Sequence, residues 1–516
     1  MRPVYAIVLE ALAGVPIALS SSHPEPYNPA PLNEFIKKQT PIAWQGILNN
    51  IGAGGAYPGI VVASPSKSDP DYFYTWTRDA SLTITALTPY LSSSTTETTK
   101  IEPLLQDYIT SQATQQTITN PSGPLDDGTG LAEPKFHVNL TAYVGAWGRP
   151  QRDGPALRAS ALIAYGNHLL STGRAALARR NIWPIVRNDL AYVAQYWNET
   201  TFDLWEEVRG ASFFTTAVQY RALVEGMAFA EALGEECAGC ALVAPEVLCL
   251  LRRGYWDAPR GAVRANWPGS GRQGIDAGSV LAVVHTFDAG AGCGRDSEDD
   301  GDEDEDRTSF QPCSDRALAN HKAVVDSFRG IYGVNRGSAV GVAAAVGRYA
   351  EDVYQGGHPW YLTTLAAAEQ LYDALYQWER QGRVDVTALS RPFFADLVPD
   401  ISSGSYSRGS EEYAAITDAV RRYADGFLAV VQQYTPENGS LAEQFDRNTG
   451  APVSAVDLTW SYAAFLTAVA RRDGAVPPSW GSTAAQPAPA QCSPTSVPGQ
   501  YATPVVGSWR VRDELK

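Results

Sequence analysis

The sequence predicts an all-α fold, because apolar residues recur at spacings of three and four from about Asn33 to Gly474. The alternation of apolar and polar residues that marks β-strands is scarce. A repeat with a period of about 20 to 50 residues, which would indicate a solenoid, is not visible either. These observations favour one large helical domain over an alternating α/β barrel.

About a dozen segments show the helical pattern, and it is clearest in five of them. In chain order these five cover residues 32–51, 156–173, 212–234, 359–382 and 409–434. Three of the five end at a glycine, the residue that most often closes a helix. The segments between the helices are rich in aromatic and charged residues, and loops on a rigid scaffold commonly carry functional side chains.

The charge of the chain limits its partners. Among 516 residues the formal net charge is −16, so a nucleic acid, which needs a basic surface to neutralise its phosphates, is not an expected partner. Nine acidic residues lie between Asp296 and Asp306, and we expect this tract to be a solvated, disordered loop. A calcium-binding loop is the alternative, although the tract lacks the residue pattern of that motif.

Several features predict an extracellular, secreted protein. Residues 1–20 contain one basic residue, an apolar run and a small-residue exit, as in a signal peptide, although Glu10 interrupts the run. Six cysteines without a zinc-binding pattern predict three disulfides. Glycosylation sequons occur at Asn139, Asn198 and Asn438. No later segment is apolar enough to span a membrane.

The composition divides the chain into three parts. After the signal peptide at 1–20 comes a helical domain at 21–475, followed by a tail at 476–516 that is rich in Pro, Ser, Ala and Thr. We expect Cys492 to attach this tail to the domain through a disulfide.

Aromatic residues, arginines and carboxylates gather in five short segments. These are YFYTWTRD (72–79), AYVGAWGRPQRDG (142–154), DLWEEVRG (203–210), GRYAEDVY (347–354) and LAEQFD (441–446). Sugars have apolar ring faces and polar rims, so a saccharide site needs aromatic platforms beside charged hydrogen-bonding groups. Taken singly, an acidic pair is usually a solvated helix face and a tryptophan is usually part of the core. Composition alone therefore leaves a carbohydrate site and a structural role equally open.

Glycoside hydrolysis requires one carboxylic acid and one carboxylate. Glu206 follows a tryptophan, and an apolar wall disfavours the charged form of a carboxyl group, as a general acid requires. Glu207 is better placed to bind a sugar hydroxyl. On a helical turn Asp203 would lie about 5–6 Å from Glu206, closer than the roughly 6.5–9.5 Å of an inverting pair. Glu443, from a distant segment, could face the sugar from the other side.

Other chemistries lack support in the sequence. The six histidines show no paired metal spacing, and no G-x-S-x-G motif accompanies a suitable His and Asp. The segment GAGGAYPG (52–59) lacks the G-x-G-x-x-G pattern of a nucleotide loop. We expect no metal and no cofactor.

The sequence resembles the fungal glucoamylases of glycoside hydrolase family 15. The motifs YFYTWTRD, EPKF, GRPQRDGPALRA, DLWEEV, SFFTTAVQYRALVEG, GRYAED, LAAAEQLYDALYQW and DLTWSYAAFLTA occur in the order of that family between about Ile47 and Arg472. The resemblance implies an (α/α)6 barrel with a pocket at one end. It also implies a monomeric enzyme that releases β-glucose, with inversion, from the non-reducing ends of starch and maltooligosaccharides, cleaving α-1,4 bonds faster than α-1,6 bonds.

The resemblance also implies residue roles. Glu206 matches the general acid and Glu443 the general base, while Asp203 matches a motif residue that is the second candidate for the base. The sugar-binding positions are Arg78 and Asp79 for the terminal glucose, Tyr72, Trp76 and Trp460 for the wall of its subsite, and Trp147, Glu207, Arg348 and Trp360 for the rest of the pocket and the next subsite. The implied disulfides are Cys237–Cys240, Cys249–Cys492 and Cys293–Cys313, with the acidic tract as an insertion in the last loop.

The sequence departs from this family at a few points. Arg209 stands where the family usually has Asn, and Ala146 where it has Ser, so subsite affinity or the pH optimum could differ. The sequon at Asn139 is unusual, and a glycan there could crowd the pocket mouth. We see no starch-binding domain after the tail, so raw granular starch is expected to be a poor substrate.

Two other functions stay open at this point. A related helical-barrel glucosidase could act on trehalose or isomaltose, because one fold hosts several chemistries. A carbohydrate-binding protein without catalysis is the alternative from another class, although the presence of both Glu206 and Glu443 argues against it.

Overall fold

The computed structural model describes residues 28–92, 98–268, 272, 274–294 and 310–509. The predicted signal peptide at 1–20 and the acidic tract at 296–306 lie outside the described residues, and both stay predictions.

Helices dominate the described residues. They are α1 (Ala30–Asn49), α2 (Thr77–Leu87), α3 (Thr98–Gln116), α4 (Asp153–Ser171), α5 (Ala175–Leu177), α6 (Trp183–Tyr196), α7 (Phe213–Leu233), α8 (Cys240–Gly254), α9 (Gly278–His285), α10 (Asp315–Arg329), α11 (Tyr361–Gln381), α12 (Arg391–Ala395), α13 (Glu411–Tyr434) and α14 (Thr459–Arg472). The five segments predicted from periodicity form α1, α4, α7, α11 and α13. Gly173, Gly234 and Gly382 adopt positive φ angles just after three of them, as the end signals predict. None of the described helices has the length and apolar character needed to span a bilayer.

Among the described helices, six close a ring. α2 packs on α4, α4 on α7, α7 on α9, α9 on α11 and α11 on α14, and α14 returns to α2. The other long helices form an outer layer, in which α1 packs on α14, α6 on α4, α8 on α7, α10 on α9, α13 on α11 and α3 on α6. The chain alternates between the two layers, so the predicted all-α fold is an (α/α)6 barrel, as the resemblance implied.

The two layers differ in how much of each helix is buried. In α7, every residue from Phe213 to Tyr220 is buried, because this inner helix has a neighbour on either side and an outer helix behind it. The outer helix α13 buries one face and exposes the other, which is the pattern of an amphipathic surface helix.

Short antiparallel strands lie in the connections between the helices. They pair as β1 (Tyr74–Trp76) with β2 (Lys135–His137), β5 (Trp256–Asp257) with β6 (Ala262–Val263), β8 (Arg383–Val386) with β9 (Gly404–Ser407), and β10 (Gln444–Phe445) with β11 (Pro452–Val453), while β3 (Thr201–Phe202), β4 (Arg209–Ser212) and β7 (Asn266–Trp267) form one small sheet. β1 and β4 lead directly into α2 and α7. These pairs therefore fix the loops that precede inner helices.

The tail packs along the barrel instead of extending away from it. The three disulfides join Cys237 to Cys240, Cys249 to Cys492 and Cys293 to Cys313, as the resemblance implied. Trp480 is buried, and its indole donates a hydrogen bond of 3.0 Å to the carbonyl of Phe287. Farther along, the carbonyl of Thr495 accepts one of 2.8 Å from the indole of Trp197.

Candidate active site

One cavity of about 260 Å³ lies where the N-terminal ends of the inner helices converge. With the exception of Asp203, every site residue predicted from the sequence lines it: Tyr72, Trp76, Arg78, Asp79, Trp147, Glu206, Glu207, Arg348, Trp360, Glu443 and Trp460. Sequence reasoning missed the lining residues Ala63, Gly148, Leu204, Trp205, Tyr354 and Leu458. Trp205 and Tyr354 belong to segments that the sequence had singled out. The missing information was the direction of their side chains.

Glu206 lies in the tight turn that connects β3 to β4. Its φ angle is +67°, a conformation that non-glycine residues rarely adopt. Its Oε1 accepts hydrogen bonds from Trp76 Nε1 at 2.8 Å, Gln151 Nε2 at 3.0 Å and Arg78 Nη2 at 3.4 Å. Within the described residues all hydrogen bonds of its carboxylate fall on this one oxygen, so Oε2 accepts none.

A close backbone contact holds this turn against the neighbouring loop. A side chain on Gly148 would place its Cβ only 2.4 Å from the carbonyl oxygen of Glu206, so only glycine fits there. The loop that carries Trp147 therefore packs directly on the turn that carries Glu206.

Asp203 lies beneath the turn and does not line the cavity. Its Oδ1 accepts hydrogen bonds from the backbone amides of Glu207 and Val208, at 2.9 and 3.0 Å, and its Oδ2 accepts one of 3.2 Å from Asn266. The helical turn assumed in the spacing argument is wrong, because Phe202 pairs with Arg209 in a β-ladder. The carboxylate of Asp203 holds the shape of the turn.

Glu207 forms a charged part of the cavity wall. Arg348 Nη2 lies 2.9 Å from its Oε1, and its Oε2 is bound by Tyr349 and Arg272. Arg272 follows β7 and also lies 3.6 Å from Asp203. Because its partners are fixed, this carboxylate is a rigid acceptor for a ligand hydroxyl.

Glu443 precedes β10 and is 1% exposed. Its Oε2 accepts hydrogen bonds from Ser454 Oγ and, at 2.9 Å, from Gln444 Nε2. Burial raises the pKa of Glu443 to about 7, while hydrogen bonds from Ser454, Tyr72 and Gln444 lower it by stabilising the carboxylate. This group therefore exchanges its proton near neutral pH.

Arg78 and Asp79 lie in the first turn of α2, at the wall of the cavity. Arg78 Nε lies 3.3 Å from Asp79 Oδ2, and its Nη1 contacts Gln151 at 2.8 Å and Asp153 at 3.2 Å. Burial raises the pKa of Asp79 to about 6, against the opposing charge of Arg78. The helix N-terminus favours a negative charge at this position. The pair presents fixed polar groups to any ligand in the cavity.

Aromatic rings form much of the rest of the wall. Trp76 packs on Tyr72 and Trp147 with centroid distances of 5.4 and 5.9 Å, and Trp205 packs on Trp360 at 5.7 Å. Within the described residues, the buried indole nitrogens of Trp147 and Trp360 have no hydrogen-bond partner. A bound ligand with hydroxyl groups could satisfy them.

Lys135 lies behind this wall. Its ammonium group is 3.7 Å from the ring centroid of Trp147 and 4.6 Å from that of Trp76. Burial lowers the pKa of Lys135 to about 8, and the negative charge of Glu206 opposes that shift. Cation–π contacts thus brace the rings from outside the cavity.

The residues in which the sequence departs from the family pattern lie outside the cavity. Arg209 is exposed, and its Nε lies 3.2 Å from Thr200 Oγ1. Within the described residues, it is Arg78 and not Arg209 that forms an ion pair with Glu206. Ala146 and Asn139 are also exposed and do not line the cavity.

Comparison with known proteins gives consistent matches over nearly the whole chain. The sequence profile of the family described as "Glycosyl hydrolases family 15" matches residues 41–470. The chain is 52% identical to the "Glucoamylase" of Neurospora crassa over 511 residues, which covers 98% of this chain and 79% of that one. It is 50% identical to "Glucoamylase-1" of Arthroderma benhamiae over 470 residues, covering 90% and 74% of the two chains.

Solved structures agree with these sequence matches. The family 15 glucoamylase from Hypocrea jecorina superposes with a TM-score of 0.87 at 52% identity, covering 92% of this chain and 78% of that one. The glucoamylase of Hormoconis resinae gives a TM-score of 0.86 at 48% identity, with coverage of 93% and 80%.

Proposed function

The chain belongs to family 15 of the glycosyl hydrolases, and we infer from this membership that it is a glucan 1,4-α-glucosidase. We propose that it removes single glucose units from the non-reducing ends of starch and maltooligosaccharides. The observation that carries this proposal is a single cavity that combines Glu206, Glu443 and an aromatic wall. Trp460 lines it, and behind Trp460 the ring of His285 lies inside the barrel with a centroid distance of 6.3 Å. A cavity backed by packed aromatic rings on this side favours a chain end over an internal segment.

The proposed reaction uses the two carboxyl groups in different ionisation states. Glu206 donates the proton on Oε2 to the glycosidic oxygen as the bond to C1 breaks. Glu443, as the carboxylate, takes a proton from a water molecule that attacks C1 from the opposite face. The product is β-glucose, with the configuration at C1 inverted.

The other cavity residues orient the sugar in this proposal. Arg78 and Asp79 hold hydroxyl groups of the terminal glucose through charge-assisted hydrogen bonds. Tyr72, Trp76 and Trp460 contact the apolar faces of its ring. Trp147, Glu207, Arg348 and Trp360 bind the next sugar and shape the cavity.

Asp203 is no longer favoured as the base. Its hydrogen bonds go to Asn266 and to backbone amides of its own turn, and it does not line the cavity. We assign it a positioning role, in which it holds Glu206 and Glu207 in place.

Secretion is part of the proposal. The three disulfides are the supporting observation, because such bonds persist in oxidising, extracellular environments.

The first product anomer tests the reaction directly. Proton NMR during hydrolysis of maltoheptaose should show β-glucose before mutarotation, with no shorter internal fragments. Initial α-glucose or internal cleavage would overturn the proposal. The same assay on maltose, isomaltose and trehalose should rank maltose first, and a preference for trehalose would instead indicate a related helical-barrel glucosidase.

A further inference from the structure

An exposed tryptophan lies on the small sheet that holds the Glu206 turn. Trp267 in β7 is 50% exposed, more than any other tryptophan in the part of the chain that the structure describes. The guanidinium carbon of Arg264 lies 4.5 Å from its ring centroid. Exposed aromatic rings beside charged donors are a common feature of binding surfaces.

The strand register places Trp267 on a defined face of this sheet. Trp267 pairs with Ala211, and Phe202 pairs with Arg209, so side chains at these positions point to the same side. Asn266 points to the other side, where it bonds to Asp203. Phe202, Arg209 and Trp267 therefore share one outward face, which spans two strand spacings, or about 10 Å.

This outward face is continuous with the cavity. The ring of Phe202 lies against Gly148, where a Cβ atom would come within 2.9 Å of its Cδ1, and Gly148 lines the cavity. Farther along the chain, Arg272 binds the carboxylate of Glu207, which lines the cavity. The Phe202 side of the outward face thus borders the cavity.

A volume of about 260 Å³ accommodates only the end of a glucan chain. The remaining glucosyl residues of a longer substrate must pass over the rim. We propose that the outward face of Phe202, Arg209 and Trp267 binds these residues, with the Trp267 ring against a sugar face and the guanidinium groups of Arg209 and Arg264 as hydroxyl donors. This inference rests on the proposed function, and it makes Trp267 a determinant of chain-length preference.

Trp267→Ala tests the inference through substrates of two lengths. The two glucose units of maltose occupy only the cavity and the next sugar position. The kcat/KM for maltose should therefore change less than about twofold. With maltoheptaose, kcat/KM should fall about three- to tenfold, mainly through KM, as expected for the loss of one aromatic contact. Trp267→Phe should restore most of the loss. Leu242→Ala is the matched control, since Leu242 is also exposed and lies at the start of the outer helix α8.

Two outcomes would overturn the inference. Equal losses on both substrates would mean that Trp267 only supports the sheet, and unchanged kinetics on both would mean that it binds no sugar. Isothermal titration calorimetry measures sugar binding without turnover, so it tests the role of Trp267 separately from the proposed reaction. In a Glu206→Gln background, where turnover is suppressed, Trp267→Ala should weaken binding of maltoheptaose but not of maltose, whatever bond the enzyme cleaves.

Discussion

The two oxygens of the Glu206 carboxylate have different surroundings. Oε1 accepts hydrogen bonds from Trp76, Gln151 and Arg78, so a glutamine at this position would keep its amide oxygen in the same place. The change would put an NH2 group in place of Oε2 and so remove the transferable proton. This arrangement makes Glu206 a residue whose chemistry can be tested without disturbing the packing.

We expect Glu206→Gln to lower kcat on maltoheptaose by about 10²- to 10⁴-fold, the usual contribution of general acid catalysis. KM should change little, because the proposal assigns the sugar contacts to other residues. Initial-rate kinetics measure both constants. Glu231→Gln, an exposed residue at the far end of α7, is the control. A loss of less than tenfold in kcat would contradict the assigned role.

Ser454 and Glu443 predict a shift in the pH profile. Ser454 adopts a φ of +65° and donates to the carboxylate of Glu443. The proposed base must be ionised, so kcat/KM should fall as the pH drops through the pKa of Glu443, about 7. Without the donor the charged form is less stable, the pKa rises further, and the acidic limb of the profile should move up by about one pH unit.

Two variants separate this hydrogen bond from backbone strain. Ser454→Ala and Ser454→Gly both remove the donor, but glycine adopts a positive φ without cost. Both should shift the acidic limb equally, as measured from kcat/KM between pH 4 and 9. A shift in only one of them would assign the effect to the backbone.

The turn between β3 and β4 is the element on which the site depends. Asp203 accepts two backbone amides of this turn, and Glu206 occupies a strained φ within it. Burial raises the pKa of Asp203, whereas the hydrogen bonds from the two backbone amides oppose that shift. By accepting these backbone amide hydrogens, the carboxylate of Asp203 stabilises the turn, as Asp and Asn side chains do in Asx turns.

Asp203→Asn should therefore have an intermediate effect. The amide oxygen can still accept from the turn, but the charge facing Arg272 is lost. We expect kcat to fall about tenfold and Tm to fall slightly, whereas the loss of a true base in Glu443→Gln should cost at least a further tenfold. Kinetics and thermal unfolding of the two variants, measured together, decide between the roles. Equal losses in kcat would return Asp203 to consideration as the base.

The helices could be predicted from the sequence, but this turn could not. Apolar periodicity located α7 and α11, and the glycines at 234 and 382 marked their ends. Nothing in the letters DLWEEV distinguishes a helical turn from a β-turn, because the deciding contacts come from Asn266 and from Gly148. Arg272 was missed for the same reason, since it reaches Glu207 only after β7 pairs with β4.

At the scale of the whole molecule, the alternation between inner and outer helices explains the position of the site. Each inner helix begins at the same end of the barrel, so segments far apart in the chain, such as those of Arg78 and Glu443, meet there. The sequence motifs predicted residues that the structure brings to one cavity, with the exception of Asp203. The ring of six inner helices that brings these residues together depends on how the helices pack. That packing cannot be read from a local sequence pattern.

The barrel interior also holds an unbalanced charge cluster away from the cavity lining. Asp373 and Glu369, one turn apart on α11, are both buried. Arg471 of α14 lies 3.1 Å from Asp373 and 3.9 Å from Glu369. Two carboxyl groups therefore share one guanidinium group, and neither oxygen of Asp373 accepts a hydrogen bond within the described residues.

Burial raises the pKa of Asp373 well above its usual value; the charge of Arg471 opposes the shift and that of Glu369 adds to it. Because its pKa is higher in the folded than in the unfolded chain, Asp373 contributes to the free energy of unfolding only while it is protonated. This contribution is fully present below the pKa of an unfolded Asp, about 4, and is lost as the pH rises through the pKa of the folded state. Asp373→Asn removes this titration while keeping the shape of the protonated acid. Compared with the parent protein, its Tm should therefore be similar at pH 4 and higher by roughly 2–4 °C at pH 8. Calorimetric scans from pH 4 to 8 measure this difference, and Asp418→Asn, at an exposed position on α13, is the control. A difference in Tm that does not change with pH would mean that Asp373 stays charged in the folded barrel.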